Sequence, residues 1–412
     1  MGGSERFMIP YLSAHFDGIG GHIKEVPEDF QVEEIPLYLP CGSGEHLYIE
    51  VEKRGMTTLD LMRRLARALN LKERDMGYAG LKDARALTRQ TLSLPGVRPE
   101  QLEGLELPGT RIISAQYHRN KLRPGHLTGN RFRIRIRQVE EQALDRARDI
   151  VDILEQVGVP NLFGSQRYGL LNNSHLIGRA ILEGNFSEAL SQIIGDPTLI
   201  RDPRWRQAAE AYRAGNLAEA RTALPPAMRD ERRLLDMLLQ GHDERAAVLA
   251  FPRRKLRLFL SACQSWLFDR IVAMRMESLE TLWPGDLAYI HGKGACFLVE
   301  DATTEQPRAD RFEISPSGPL FGYKSTLAQG QAGVIEQALL DHEGISLESF
   351  RLSKGLSMEG ERRPLRVPLT ETEVNAEGED LIVSFALPRG SYATSVLREI
   401  MKPVEADPQN GV

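Results

Sequence analysis

The amino-acid sequence predicts an α+β protein of about two domains. Three observations lead there. The chain has 412 residues, more than one compact domain usually holds. Residues 30–34, 45–53 and 131–137 alternate apolar with polar side chains and read as strands, as does the segment 380–387. Residues 57–70, 142–157 and 204–276 carry the wider spacing of helices.

Taken in order, residues 1–21 read as a loosely ordered lead with a glycine-rich end, and 23–34 as a proline turn entering a strand through Phe30 and Val32. In 45–53, Leu47, Ile49 and Val51 share one face of a half-buried strand. Thr57 and Thr58 offer a helix cap with Asp60 in the first turn, and Leu59, Met62, Leu65 and Leu69 are the expected apolar stripe. A strand over 380–387 is followed by a turn at Pro388–Gly390 and a helix to Ile400, with Ser391 or Thr394 as its cap. The tail beyond Lys402 is polar and expected to fray.

Composition narrows the class. Hydrophobic residues make up 42% and charged residues 26%, an ordinary globular balance. The formal charge is −5, from 52 Lys and Arg against 57 Asp and Glu, so any polyanion partner must be met by local positive potential. Cys41, Cys263 and Cys296 are odd in number and far apart, which argues against a disulfide framework or zinc spacing and for a reducing cytoplasm. No stretch is apolar enough to span a membrane, and the start does not read as a signal peptide. Arg6 stands where a myristoylation signal needs Ser or Thr.

The segment 80–90 holds one carboxylate, Asp83, among Lys82, Arg85 and Arg89. Nearby cations favour the ionised carboxylate that a nucleophile or general base requires. A solvated turn or a surface ion pair has the same charge pattern. The second compositional signal is residues 111–137, which contain eight Lys or Arg and no Asp or Glu. Arg131, Arg133, Arg135 and Arg137 alternate with Phe132, Ile134 and Ile136, so a strand here would present a row of guanidiniums opposite a buried face. That row, with Lys121 and Arg123, is expected to meet an RNA backbone.

Tyr78-Ala79-Gly80-Leu81-Lys82-Asp83, followed by Thr88 and Gln90, resembles the catalytic-aspartate motif of the TruD family of tRNA pseudouridine synthases. Segments 24–33, 118–134, 161–169 and 388–399 resemble further family blocks in the same order and bracket nearly the whole chain. Leu162 and Tyr168 are mild departures from the third block. The resemblance implies a pseudouridine-synthase catalytic domain, residues 1–159 and 365–412, built on a mixed, mainly antiparallel sheet. An α+β TRUD domain is implied as an insert at 160–364. The implied reaction is isomerisation of uridine 13 in tRNA to its C5-linked form, with Asp83 as the catalytic group, acting as nucleophile or as base.

The same resemblance implies that Phe30 lies at the substrate uridine, with Lys24 a cation near Asp83. It also implies that Asn130 contacts the uridine edge, that Phe132 walls the pocket, and that Tyr392 touches the substrate where the family often has Phe. By pattern alone Tyr392 is a helix-start packing residue and Asn130 a turn residue before a strand. Arg167 is either a phosphate or active-site support or part of a buried turn. The expected partner is tRNA, with a monomeric protein needing no protein partner and no membrane. Neither cofactor nor metal is expected: the nine histidines form no helical His-x-x-x-His pair, and isomerisation involves no redox change. A non-catalytic RNA-binding module would explain the arginine strand equally well. A glycoside hydrolase fits less, because no partner carboxylate accompanies Asp83 in the matching motifs.

Overall fold

The computed structural model describes residues 8–353 and 355–402. The chain forms two compact units, one of residues 11–159 with 367 onward and the other of 160–366 with residues 8–10. No helix among the described residues is long and apolar enough to cross a membrane.

The first unit is organised by one sheet. Its strands are β1 (Phe30–Pro36), β2 (His46–Arg54), β3 (Gly77–Tyr78), β4 (Leu87–Pro95), β5 (Thr110–His118), β6 (Leu127–Ile136), β7 (Thr370–Glu377) and β8 (Asp380–Pro388). They lie in the order β7-β8-β6-β1-β4-β2-β5, with β3 also pairing β4. The β1–β4 pair is parallel and the other pairs are antiparallel, so the sheet is mixed and mainly antiparallel.

Three helices, α1 (Thr58–Ala68), α2 (Ala143–Val157) and α3 (Ala393–Met401), bury their apolar sides in two clusters. Under α2 and α3 lie Phe30, Val32, Phe132, Ile134, Val383 and Phe385. Under α1 lie Leu47, Ile49, Val51, Leu92 and Leu94. Registers Val32↔Phe132, Val32↔Thr88 and Thr88↔Lys53 put both sets on the same face of the sheet. The parallel β1–β4 pair therefore runs along the seam between two apolar clusters.

Several local expectations change in three dimensions. Thr57 caps α1, accepting from Asp60 N at 3.1 Å, but the buried stripe is Leu61, Met62 and Leu65, and Leu59 faces out. Spacing of three and four residues from Leu61 and Met62 fits the face that contacts β2 and β4 better than the register starting at Leu59. Helix α3 starts after Tyr392, whose side chain makes no capping bond, in place of the Ser391 or Thr394 cap. The lead segment is ordered where it is described. Ser13 is buried, donating to Glu399 Oε2 through N (3.0 Å) and Oγ (2.8 Å), and Ile19 is fully enclosed. Residues 1–7 and the tail 403–412 lie outside the described residues.

The second unit is also α+β. Short helices between Ser174 and Leu249 lead to a 22-residue helix, Arg253–Met274. A four-stranded antiparallel sheet follows, ordered Glu361–Pro364, Ile314–Leu320, Leu287–Ile290, Ala295–Leu298. Arg167 binds this long helix through Ser265 Oγ at 2.9 Å and through Ser261, which matches the buried-turn reading of that residue.

Candidate active site

Asp83 lies on the loop between β3 and β4, above the seam. Its side chain is 32% exposed. Oδ2 accepts from Lys24 Nζ at 2.7 Å and Oδ1 from the Arg85 N–H at 2.9 Å. Its carbonyl accepts from Lys53 Nζ at 2.9 Å, and the same ammonium donates to Met56 O at 2.5 Å. Partial burial pushes the Asp83 carboxyl up. The hydrogen bond and charge of Lys24, with the Arg85 N–H, outweigh that and hold it below the usual carboxylate range. Asp83 is thus ionised at neutral pH and fixed at three of its atoms.

Lys24 reaches Asp83 from a left-handed backbone, φ +64°, which is costly for any residue with a Cβ. Its Nζ also sits 4.4 Å from the centre of the Phe30 ring. Phe30 is only 6% exposed and packs edge-on against Phe132, with centroids 6.2 Å apart. Phe132 in turn lies 5.3 Å from Phe385. Phe30 and Phe132 are therefore apolar core beneath the carboxylate. Burial of both rings follows from β1 and β6 pairing through Val32↔Phe132, which turns both toward α2 and α3.

Asn130, opposite Glu34 in the β1–β6 register, is on this same face. Its Oδ1 accepts from Lys82 Nζ at 2.5 Å, and Lys82 Nζ stands 3.2 Å from Glu34 Oε2. The Glu34 side chain is 1% exposed. Burial pushes Glu34 up and Lys82 down, each partly offset by the other's charge. Thr58 Oγ1 accepts from Lys82 N at 2.9 Å and donates to Gln90 Oε1 at 2.9 Å. Polar side chains thus fill the seam where the two apolar clusters stop.

Tyr392 is 38% exposed at the start of α3. A chain of contacts joins its turn to the Asp83 loop: Arg389 donates to Gly125 O at 2.9 Å, and Gly125 N donates to Ala79 O at 2.8 Å. Lys121 and Arg123 occupy the intervening loop, Lys121 donating to Arg74 O at 2.6 Å and Arg123 exposed. Lys121, Arg123, Arg85 and Arg389 have no carboxylate partner among the described residues.

The arginine row is corrected by the structure. Arg131, Arg133, Arg135 and Arg137 point to the face opposite Asn130 and Asp83, because alternate strand residues face opposite ways. They are not an unmixed cationic stripe. Arg131 pairs with Glu371 (2.6 Å) and Glu33 (3.4 Å), Arg133 with Glu377 (3.4 Å), and Arg135 with Asp380 (2.9 Å) and Glu377 (2.5 Å). Arg137 pairs with Asp29 at 2.8 Å. The ladder continues across the sheet as Arg89–Glu52 (2.9 Å) and Arg111–Glu52 (3.1 Å). Strands β1, β7 and β8 supply carboxylates that the 111–137 segment lacks, so this face is a mixed-charge, solvated one.

Lys53, Lys82, Glu34 and Gln90 were not singled out as site residues from sequence. A signal was present: Lys53 continues the face of Leu47, Ile49 and Val51, and Glu34 that of Phe30 and Val32. A charged side chain in an apolar register either is buried with a partner or breaks the strand. Among the described residues no group of three or more His, Cys, Asp or Glu is arranged to hold a metal ion.

Comparison with known proteins agrees with this architecture. The family model described as tRNA pseudouridine synthase D (TruD) matches residues 7–400. A tRNA pseudouridine synthase D of Syntrophotalea carbinolica is 60% identical over 395 residues, covering 96% of this chain and 99% of the relative. That of Geobacter sulfurreducens is 56% identical over 394 residues, covering 95% and 96%. A crystal structure from Methanosarcina mazei described as TruD superposes with a TM-score of 0.85 at 28% identity, covering 97% of each chain. The class is that of the tRNA pseudouridine synthases, isomerases that act on uridine in tRNA. Within it, the chain belongs to the TruD family.

Proposed function

We propose that this protein converts uridine 13 of tRNA to pseudouridine with Asp83 as the catalytic carboxylate. The observation that carries the reading is the Asp83–Lys24 pair at 2.7 Å, seated over the aromatic wall of Phe30. In the net reaction the C1′–N1 bond breaks, the uracil turns, C5 bonds C1′, and the proton on C5 is replaced by one on N1. Atoms and electrons balance without an added reagent. A carboxylate kept ionised can attack C1′ or take a ribose proton, and either role needs the charge that Lys24 and the Arg85 N–H maintain. The half-buried setting supports exclusion of water that would otherwise capture the opened sugar. The nucleoside has to leave its stack to reach Asp83.

Asn130 meets the uracil edge, and Tyr392 bounds the base from the turn after β8. Phe30 and Phe132 act as the floor of the pocket. Arg85, Arg123, Lys121 and Arg389 take the phosphates flanking the target, since their charge is uncompensated by carboxylates. The test is chemical mapping of pseudouridine in unmodified tRNA incubated with purified protein, without added metal or nucleotide. Modification at position 13 by the wild type, and none by Asp83→Ala, is the expected result. Full activity of that variant would overturn the catalytic assignment, and a different modified position would overturn the target.

A further inference from the structure

Lys82 adjoins Asp83 in the chain, yet the two side chains serve different partners. Asp83 is held by Lys24, whereas Lys82 turns into the seam, 5% exposed, between Glu34 Oε2 at 3.2 Å and Asn130 Oδ1 at 2.5 Å. We propose that Lys82 is a positioning residue that locks the Asn130 amide with its NH2 turned toward the substrate, so that this amide selects a carbonyl oxygen on the base. The proposal rests on the reading of Asp83 and Asn130 as the uridine site.

Donor chemistry carries the argument. An ammonium only donates, so the amide oxygen of Asn130 must face Lys82; the flipped amide would oppose two sets of donors. The Asn130 NH2 makes no hydrogen bond to the protein among the described residues. Its donors are therefore left for a ligand, and the matching group on uracil is a carbonyl.

The lock itself is well anchored. Glu34 supplies the counter-charge that a buried ammonium requires, and Glu34 Oε1 is itself held by the Thr91 N–H at 3.3 Å. Thr58 Oγ1 pins the Lys82 backbone N–H at 2.9 Å. Above them, a Cβ on Gly80 would lie 3.5 Å from Lys82 Nζ and 3.6 Å from Glu34 Oε2, ordinary contact distances that place this residue directly against the pair. Consecutive residues of one loop thus deliver the carboxylate and orient the base-reading amide, linking recognition to chemistry through a single peptide.

The test is a double-mutant cycle on kcat/KM for tRNA. Removing Lys82 alone strands the Glu34 charge, and removing Glu34 alone strands the Lys82 charge, so in every background K82M is made together with E34Q, and folding is checked by thermal unfolding. In the otherwise unchanged protein this double change is expected to lower kcat/KM about 10- to 100-fold, the range for a buried hydrogen bond to a charged group. In an N130A background the same double change should cost less than about twofold, while in Y392A it should keep its full cost. A purely structural Lys82 would lose equally in both backgrounds, and that result overturns the proposal. If N130A itself leaves kcat/KM unchanged, the uridine-site reading fails, and the lock fails with it. If N130A is harmful and the double change is additive with it, the lock alone is wrong.

Discussion

The Lys24 ammonium lies 2.7 Å from Asp83 Oδ2 and 4.4 Å from the centre of the Phe30 ring, so one cation ties the carboxylate to the aromatic floor beneath it. It does so from a left-handed backbone that glycine would adopt more easily. Local strain retained at such a place is consistent with selection for position over stability.

Replacing Lys24 with Met tests that tie. The Asp83 pKa is depressed in the folded protein, so its carboxylate persists down to a pH below the ordinary value of about 3.9. Its contribution to stability is present above that value and is lost as pH falls through the folded pKa. In Lys24→Met the acid limb of kcat/KM should move to higher pH, and Lys24→Arg should restore most of the shift. An NMR titration of the Asp83 carboxyl checks the same change without relying on activity.

Lys53 provides a second pH signature, of opposite origin. Burial pulls its ammonium down to about 8, against an unfolded value of about 10.4. Between these values the unfolded chain binds a proton that the folded chain does not, so this group makes stability rise with pH from about 8 upward. Denaturation midpoints at pH 7.5 and pH 9.5 should show that increment in the wild type and lose it in Lys53→Met. The neutral amine still has two N–H groups for Met56 O and Asp83 O, so the Asp83 loop should keep its place through the titration.

The two arginine sets should separate in a salt titration of tRNA binding. Arg131→Ala and Arg133→Ala remove cations already paired with carboxylates on the far face, and should change affinity less than about twofold. Arg123→Ala and Arg389→Ala should weaken binding across sequences and reduce the slope of log affinity against log salt by about one each. Equal slopes in the two sets would place the RNA on the outer face.

Gly129 joins the strand pair β6–β8 to the turn bearing Tyr392. A Cβ there would lie 2.2 Å from Leu387 O, a main-chain atom that cannot swing aside. Gly129→Ala should therefore cost about 2 kcal/mol or more, read as a lowered denaturation midpoint. Loss of activity should accompany it, because Arg389 and Tyr392 depend on that pairing.

Much of the site was legible because the signals were local or contained in one motif. Lys24, Asp83 and Asn130 were each named from short segments, and direct contacts or one intervening lysine connect them. Strands β1, β2 and β6 were visible as alternation, which is a property of a single strand and its two faces, whereas β3, β4, β5 and β7 were not singled out from sequence. Phe30 was legible as an aromatic entering a strand, but its packing partner was not, since Phe132 comes from a strand about a hundred residues away.

The chain's own pattern determined which side chains share a face and where one isolated carboxylate sits among cations. It did not determine what those charges meet. Arg131 and Arg133 find carboxylates 240 and 244 residues further on, while Lys82 and Lys53 enter the interior only because two apolar clusters leave a polar seam between them. Alternation is set by backbone geometry within a strand, whereas compensation of charge requires strands distant in sequence to pair in one register. Only tertiary structure supplies that register, and with it the difference between a cation free to meet phosphate and one already neutralised.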